Sequence, residues 1–67
     1  MTPAEFRAIR LQLGLTLEQW GRALGRSGDH VRNQINAMEG GRKEITLPVA
    51  RLAHMYGQHG VPPEFLD

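Results

Sequence analysis

Residues 16–41 read TLEQWGRALGRSGDHVRNQINAMEGG, and this segment contains the start and stop signals of two consecutive helices. Thr16 is a good N-cap, and Gln19 stands three residues later, at the position that completes a capping box. Gly25 provides the stop signal. Leu17, Trp20 and Leu24 recur at helical spacing between these signals, with the small Gly21 beside them. The pattern predicts a short amphipathic helix.

The next helix is predicted to begin at Ser27 or Asp29, both competent N-caps, and to run to about Glu39 before the glycine pair at 40 and 41. Its inward face is expected to consist of three apolar residues, Val31, Ile35 and Met38.

Similar signals bound the remaining helices. The first is predicted to open at Thr2, with Glu5 at the capping-box position, and to close at Gly14, with an inward stripe of Phe6, Ile9 and Leu13. The fourth should start near Thr46, have Pro48 in its first turn and stop between residues 57 and 60, with an apolar stripe of Val49, Leu52, Ala53 and Tyr56. Residues 62–66 can form one last turn whose Phe65 and Leu66 close the core or face a partner. Because period-2 alternation is missing, we predict an all-α fold of four to five short helices in one domain, residues 1–67.

Composition limits the classes of protein that fit. The 67 residues can bury one modest core, and the absence of cysteine removes disulfides and thiolate metal sites. No apolar run is long enough for a membrane span or a signal peptide, so a cytoplasmic location is expected. The net charge is only +1, yet residues 22–43 carry five basic and two acidic residues, or +3. Positive charge is therefore concentrated in the middle of the chain.

The outer face of the third helix carries the side chains that suggest a function. At 100° per residue, Asn33 and Asn36 point away from the core stripe, with Arg32 on one shoulder. Asparagine can pair with adenine and arginine with guanine in the major groove. The competing interpretation is an ordinary solvated face, but such faces are usually built of Glu, Lys and Gln, and asparagine is a poor helix former.

Several motifs then resemble one family, the lambda-repressor/Cro-like (XRE-type) helix-turn-helix regulators. Leu15-Thr16 with Trp20-Gly21-x-x-Leu24-Gly25 is similar to that family's L-[ST]-Q-x-x-L-A-x-x-L-G run, and residues 35–41, INAMEGG, resemble its V-S-x-W-E-x-G run. The opening MTPAEF and the basic turn and helix over residues 42–52 are also similar. The resemblance covers nearly the whole chain and implies a lambda-repressor-like fold.

The chain departs from the family pattern at two points. Leu17 replaces the usual phosphate-contacting glutamine, for which Gln19 is a possible substitute. Between Gly25 and Ile35 the chain is about one helical turn longer than usual, so either Val31 or Ile35 can take the place of the family's core valine. We prefer Ile35, which leaves Arg32, Asn33 and Asn36 as base readers. This choice implies a third helix extended at its N-terminus, or a longer turn.

Contacts to the DNA backbone or flanking the readers are expected from polar residues around this helix. The Gly-Gly-basic turn should bring two cations and backbone amides to phosphates, although the cations could instead interact with the C-terminal end of the third helix. The expected residues are Thr16, Gln19, Arg26, Ser27, His30, Gln34, Arg42 and Lys43.

The resemblance implies a transcriptional regulator, expected to be a repressor or autorepressor from a phage, prophage or mobile element, working at the nucleoid. A domain this small makes few contacts, so a homodimer on an inverted-repeat operator is expected. Its interface is expected on the fourth helix and the last turn, at Met55, Phe65 and Leu66.

A second hypothesis is a protein-interaction module, an antitoxin or adaptor that uses the same helices, which the near-neutral charge and terminal Phe65 favour. We expect no enzyme, cofactor, small-molecule ligand or membrane contact. His54 and His59 are five residues apart and do not share a helical face, so no metal site is expected. Trp20, Met38 and Tyr56 are assigned to the core.

Overall fold

A computed structural model describes residues 1–66 and contains four α-helices and no strand in that range. The helices are α1 (Pro3–Leu13), α2 (Leu17–Ala23), α3 (Val31–Glu39) and α4 (Leu47–His59), followed by a 3-10 turn at Pro63–Phe65. The predicted all-α fold is therefore confirmed. None of the helices in the described part of the chain is both long enough and apolar enough to cross a bilayer.

Both predicted capping boxes are present. The Thr2 hydroxyl accepts from the Glu5 backbone N–H at 3.1 Å, and the Glu5 carboxylate accepts from the Thr2 N–H at 3.0 Å. Thr16 and Gln19 make the same pair of bonds at the start of α2. Hydrogen bonds from the Thr2 backbone and side chain lower the pKa of Glu5. These reciprocal bonds fix where α1 and α2 begin.

An aromatic cluster forms the centre of the core. Phe6, Trp20 and Tyr56 come from three different helices, with ring centroids 5.4 Å apart for Phe6 and Trp20 and 6.1 Å apart for Trp20 and Tyr56. Ile35 and Met38 of α3 are also fully buried in this core. The Tyr56 hydroxyl donates to the Ala23 carbonyl at 2.6 Å, and burial raises the pKa of Tyr56. The assignment of Trp20, Met38 and Tyr56 to packing is confirmed.

The predicted start of α3 at Ser27 or Asp29 is wrong. The helix begins at Val31 after His30, and no side chain caps it. Gly28 has a φ of +99°, a left-handed conformation that cannot be part of an α-helix, so the backbone turns between the two candidate caps. Seven residues, 24–30, therefore connect α2 to α3. The sequence implied either a longer turn between α2 and α3 or an α3 extended at its N-terminus, and the structure has the longer turn.

The connection leaves α2 through a glycine turn. Gly25 has a φ of +83°, and its N–H donates to the Arg22 carbonyl at 3.0 Å. The Arg26 N–H donates to the Gly21 carbonyl at 2.9 Å, which completes a Schellman motif. The predicted stop at Gly25 is confirmed, and this motif fixes the direction in which the chain leaves toward α3.

Gly21 allows α2 and α3 to pack closely. A β-carbon at this position would lie 2.1 Å from Val31 Cγ1 and 3.2 Å from Ile35 Cγ1. Val31 and Ile35 are the two residues that could take the place of the core valine in the resembling family, and both are buried. The absence of a side chain at position 21 therefore determines how near α3 lies to α2.

The helix α4 ends within the predicted range of residues 57–60, but at Gly60 and not at Gly57. Gly57 lies inside the helix, which continues to His59 and ends at Gly60, where φ is +81°. Gly57 faces Ile9 of α1, and an added β-carbon would approach Ile9 Cγ2 to 3.3 Å. The glycine therefore serves close packing of α4 on α1.

The two apolar residues of the last turn, which were expected either to close the core or to face a partner, differ from each other. Leu66 packs against the core, whereas Phe65 is 48% exposed.

Candidate nucleic-acid interface

The three predicted base readers lie together on the outside of α3. Arg32, Asn33 and Asn36 are all exposed, while Val31, Ile35 and Met38 turn inward from the same helix. None of the three readers forms a side-chain hydrogen bond or ion pair with another of residues 1–66. Their guanidinium and amide groups are therefore available to a ligand that approaches this face.

Two open clefts flank the readers where α3 lies beside the start of α2. The Arg32 cleft is lined by Thr16, Leu17, Glu18 and Arg32. The Asn36 cleft is lined by Arg7, Arg10, Leu17, Asn36, Glu39 and Gly40. Leu17 belongs to both clefts, so the first residue of α2 lies against the same surface as the two α3 side chains.

Thr16 and Gln19 already have partners in the capping box of α2, through the Thr16 hydroxyl and the Gln19 amide oxygen. Thr16 is exposed beside Arg32 in the Arg32 cleft. The hydrogen bonds between Thr16 and Gln19 fix the start of α2, and this holds Leu17 and Glu18 at the clefts.

Arg26 and Gln34 are joined across the connection. Arg26 Nη1 donates to Gln34 Oε1 at 3.1 Å, and both side chains are half-buried. The bond ties the connection to the middle of α3. Ser27 and His30 are exposed in the same connection.

The backbone amides after α3, which were predicted to approach phosphates, have hydrogen-bond partners within the protein. The Arg42 and Lys43 N–H groups both donate to the Ala37 carbonyl, at 2.8 and 3.2 Å, so these amides already have partners at the end of α3. The Arg42 guanidinium folds back over Gly40, since a β-carbon there would lie 3.5 Å from Nη1. This position matches the alternative in which a cation interacts with the C-terminal end of the helix. The Lys43 side chain is exposed.

No protein-family model, no curated protein and no solved structure matches this chain. The geometry of residues 1–66 therefore identifies a small, compact domain of four helices without assigning it to a family.

Glu39 has a role that the sequence analysis missed. Its carboxylate is 6% exposed and forms a two-bond pair with Arg10 of α1, at 2.7 Å from Nε and 3.0 Å from Nη2. Arg10 Nη1 also donates to the Leu15 carbonyl at 3.0 Å. The sequence interpretation treated Glu39 only as part of the stop signal of α3. An arginine on α1 four residues after Phe6, at the edge of the core stripe, is the signal that could have suggested this pair.

Further charged residues border the readers. Arg7 is exposed at the Asn36 cleft and lies 3.9 Å from Glu39, a long and weak contact. Glu18 is exposed at the Arg32 cleft and pairs with Arg22 at 3.6 Å. Asp29 is also exposed and lines a further pocket together with Arg32 and Glu18. The surface therefore contains the cation of Arg7, which could assist an anionic ligand, and the carboxylates of Glu18 and Asp29, which would oppose it.

The candidate dimer-interface residues on α4 and the last turn differ in exposure. Met55 and Phe65 are about half exposed and line an open, mainly apolar groove between α4 and the last turn. Leu66 packs against the core and offers less surface to a partner. Within residues 1–66, no three histidine or carboxylate side chains are grouped as metal ligands would be.

Proposed function

We propose that this chain is a sequence-specific double-stranded DNA-binding regulator of the lambda-repressor/Cro-like helix-turn-helix type, which inserts α3 into the major groove. The observation that carries the proposal is the outer face of α3, where Arg32, Asn33 and Asn36 are exposed together and have no side-chain partner among residues 1–66. Arginine pairs with guanine O6 and N7, and asparagine pairs with adenine N6 and N7, so the three side chains suit base edges.

The spacing of the readers supports this use. Arg32 and Asn36 are four residues apart, which is about 6 Å along a helix. Successive bases on one strand are separated by about 3.4 Å along the duplex axis. When α3 lies along the groove, the two side chains therefore meet bases roughly two steps apart, with Asn33 beside Arg32.

Contacts that hold the helix in the groove are assigned to cations around it. Lys43 is exposed after α3, and Arg26 is oriented by Gln34. Thr16, Ser27 and His30 supply further polar groups that are exposed around the same surface. Contacts of this kind set the position of a protein on DNA without reading the sequence, and they make affinity fall as salt rises.

The proposed DNA-bound form is a homodimer on an inverted repeat. One copy offers three base readers, which is few for a tight specific complex. Met55 and Phe65 expose apolar surface on the side formed by α4 and the last turn, and we assign the dimer contact to them. A dimer bound over a promoter would act as a repressor or autorepressor.

Selection of bound DNA from a random pool tests the proposal. We expect an enriched half-site, repeated in inverted orientation. Arg32→Ala and Asn33→Ala should then weaken binding to that site by about five- to 150-fold, the range for one lost base contact. Arg51→Ala is the matched control, because Arg51 is an exposed arginine on α4 and lines neither cleft. A pool that stays random at moderate salt would contradict the proposal.

The exposed Phe65 favours one alternative, a protein-interaction module of the antitoxin or adaptor type. In that case Arg32→Ala and Asn33→Ala leave function intact, while Phe65→Ala breaks a complex with a protein partner. Pull-down of a partner with the wild-type protein and each variant distinguishes the two functions when it is paired with the DNA-binding measurement.

A further inference from the structure

Leu17 occupies an unusual place on the proposed DNA-binding surface. It is the first residue of α2, and it packs partly against the core. It also lines both the Arg32 cleft and the Asn36 cleft. Every other side chain that lines these two clefts is polar or charged, and the remaining lining residue is Gly40. Among residues 1–66, Leu17 is thus the one apolar residue that lines the clefts of these two polar base readers.

The side chain of Leu17 has no polar group, so it can neither bind phosphate nor donate a hydrogen bond to a base edge. In the major groove the apolar feature of the base pairs is the C5-methyl group of thymine, which side chains recognise by apolar contact. A methyl group that packs against leucine leaves water, and that transfer favours the complex. On a surface that binds DNA, a leucine side chain therefore suits a thymine better than a base without this methyl group.

We propose that Leu17 is a specificity-determining residue that contacts the methyl group of a thymine next to the bases read by Arg32 and Asn36. The inference rests on the proposed DNA-binding function and adds to it one base preference that neither arginine nor asparagine supplies. It also gives a role to the residue at which the chain departs from the glutamine of the resembling family.

The test changes single atoms of the DNA. Each thymine of the selected site is replaced in turn by uracil, which removes only the C5-methyl group, and the dissociation constant is measured. We expect one thymine in each half-site where wild-type affinity falls about fourfold, the value for one buried methyl-sized group. Leu17→Ala should bind the thymine and uracil forms of that site equally.

Leu11→Ala is the matched control, because Leu11 is an exposed leucine on α1 that lines neither cleft. It should keep the fourfold preference for thymine. Circular dichroism establishes that each variant is folded. If Leu17→Ala fails to fold, Leu17→Gln, which keeps a side chain of similar volume but ends it in an amide one atom farther from the backbone, should also lose the preference.

The outcomes separate this inference from the proposed function. Specific binding in which no thymine responds to uracil overturns the role of Leu17 and leaves the proposed function standing. The role is also overturned when folded Leu17→Ala or Leu17→Gln protein retains the full preference. Failure of the wild-type protein to select any DNA overturns both.

Discussion

Removal of the Glu39 carboxylate should destabilise the protein, because it leaves the Arg10 guanidinium, which is mostly shielded from water, without its counter-charge. The Arg10 side chain is only 12% exposed, and both of its bonds to Glu39 are short. Deleting one partner of a fully buried pair costs about 3–5 kcal/mol, and because this pair is part-buried we expect a loss of about 2–3 kcal/mol. At about 0.05–0.15 kcal/mol per residue, a chain of 67 residues has a free energy of unfolding of roughly 3–10 kcal/mol. Glu39→Ala therefore removes a large part of the stability.

Urea denaturation followed by circular dichroism measures this loss. Glu64→Ala is the control, since Glu64 is exposed in the last turn and its replacement should change the free energy of unfolding by less than about 0.5 kcal/mol. The double variant Arg10→Met with Glu39→Leu removes both charges, and it should lie within about 2 kcal/mol of wild type. A loss below about 1 kcal/mol for Glu39→Ala, or a double variant no more stable than the single one, would show that Glu39 does not stabilise the fold by balancing the charge of Arg10.

Three further predictions concern packing, burial and charge. Gly21→Ala should reduce the free energy of unfolding by about 1–3 kcal/mol in urea titrations, because its methyl group would overlap the stiff Val31 side chain. Tyr56→Phe should cost about 1–2 kcal/mol, since it leaves the Ala23 carbonyl without its donor. Burial raises the pKa of Tyr56, so the stability that its protonated hydroxyl contributes is present below pH 10.0 and is lost as pH rises above that value. In thermal melts, the melting temperature of Tyr56→Phe should therefore fall less steeply over this alkaline range than that of the wild-type protein. Glu18→Gln should strengthen DNA binding up to about fivefold at low salt and less at high salt in affinity titrations, since it removes a carboxylate from the Arg32 cleft.

The sequence predicted the elements whose signals are local. Thr2 and Thr16 each carry their capping partner three residues later, and the structure places α1 and α2 accordingly. The core stripe of α3 was also predicted, because Val31, Ile35 and Met38 follow the helical period.

The errors come from interactions that the local pattern does not contain. Ser27 and Asp29 are good caps by residue type, but the left-handed backbone at Gly28 excludes a helix that starts after Ser27, and the turn continues through Asp29 and His30, so that α3 begins at Val31. Gly57 was taken as a stop signal, yet it faces Ile9 from a distant part of the chain. The contact between Gly57 and Ile9 joins two helices across 48 positions of the sequence, so the local pattern could not reveal it.

The candidate site was predictable as a set of exposed side chains and less so in its supporting contacts. Helical periodicity alone placed Arg32 and Asn36 on the outer face of α3. The pair between Glu39 and Arg10, and the bond between Arg26 and Gln34, depend on how separate segments pack together. Leu17 was recognised as a departure from a motif, but its position between two clefts required the tertiary structure.

The burial of Trp20 has a practical consequence for all of these measurements. The chain has one tryptophan, its side chain is fully enclosed between Phe6 and Tyr56, and it lines neither cleft. Its fluorescence should shift to longer wavelength when the core opens to water and stay constant when a ligand covers α3. A single sample can therefore report folding through indole emission and DNA binding through a dye on the oligonucleotide. An unfolded variant is then distinguished from a folded variant that no longer binds DNA.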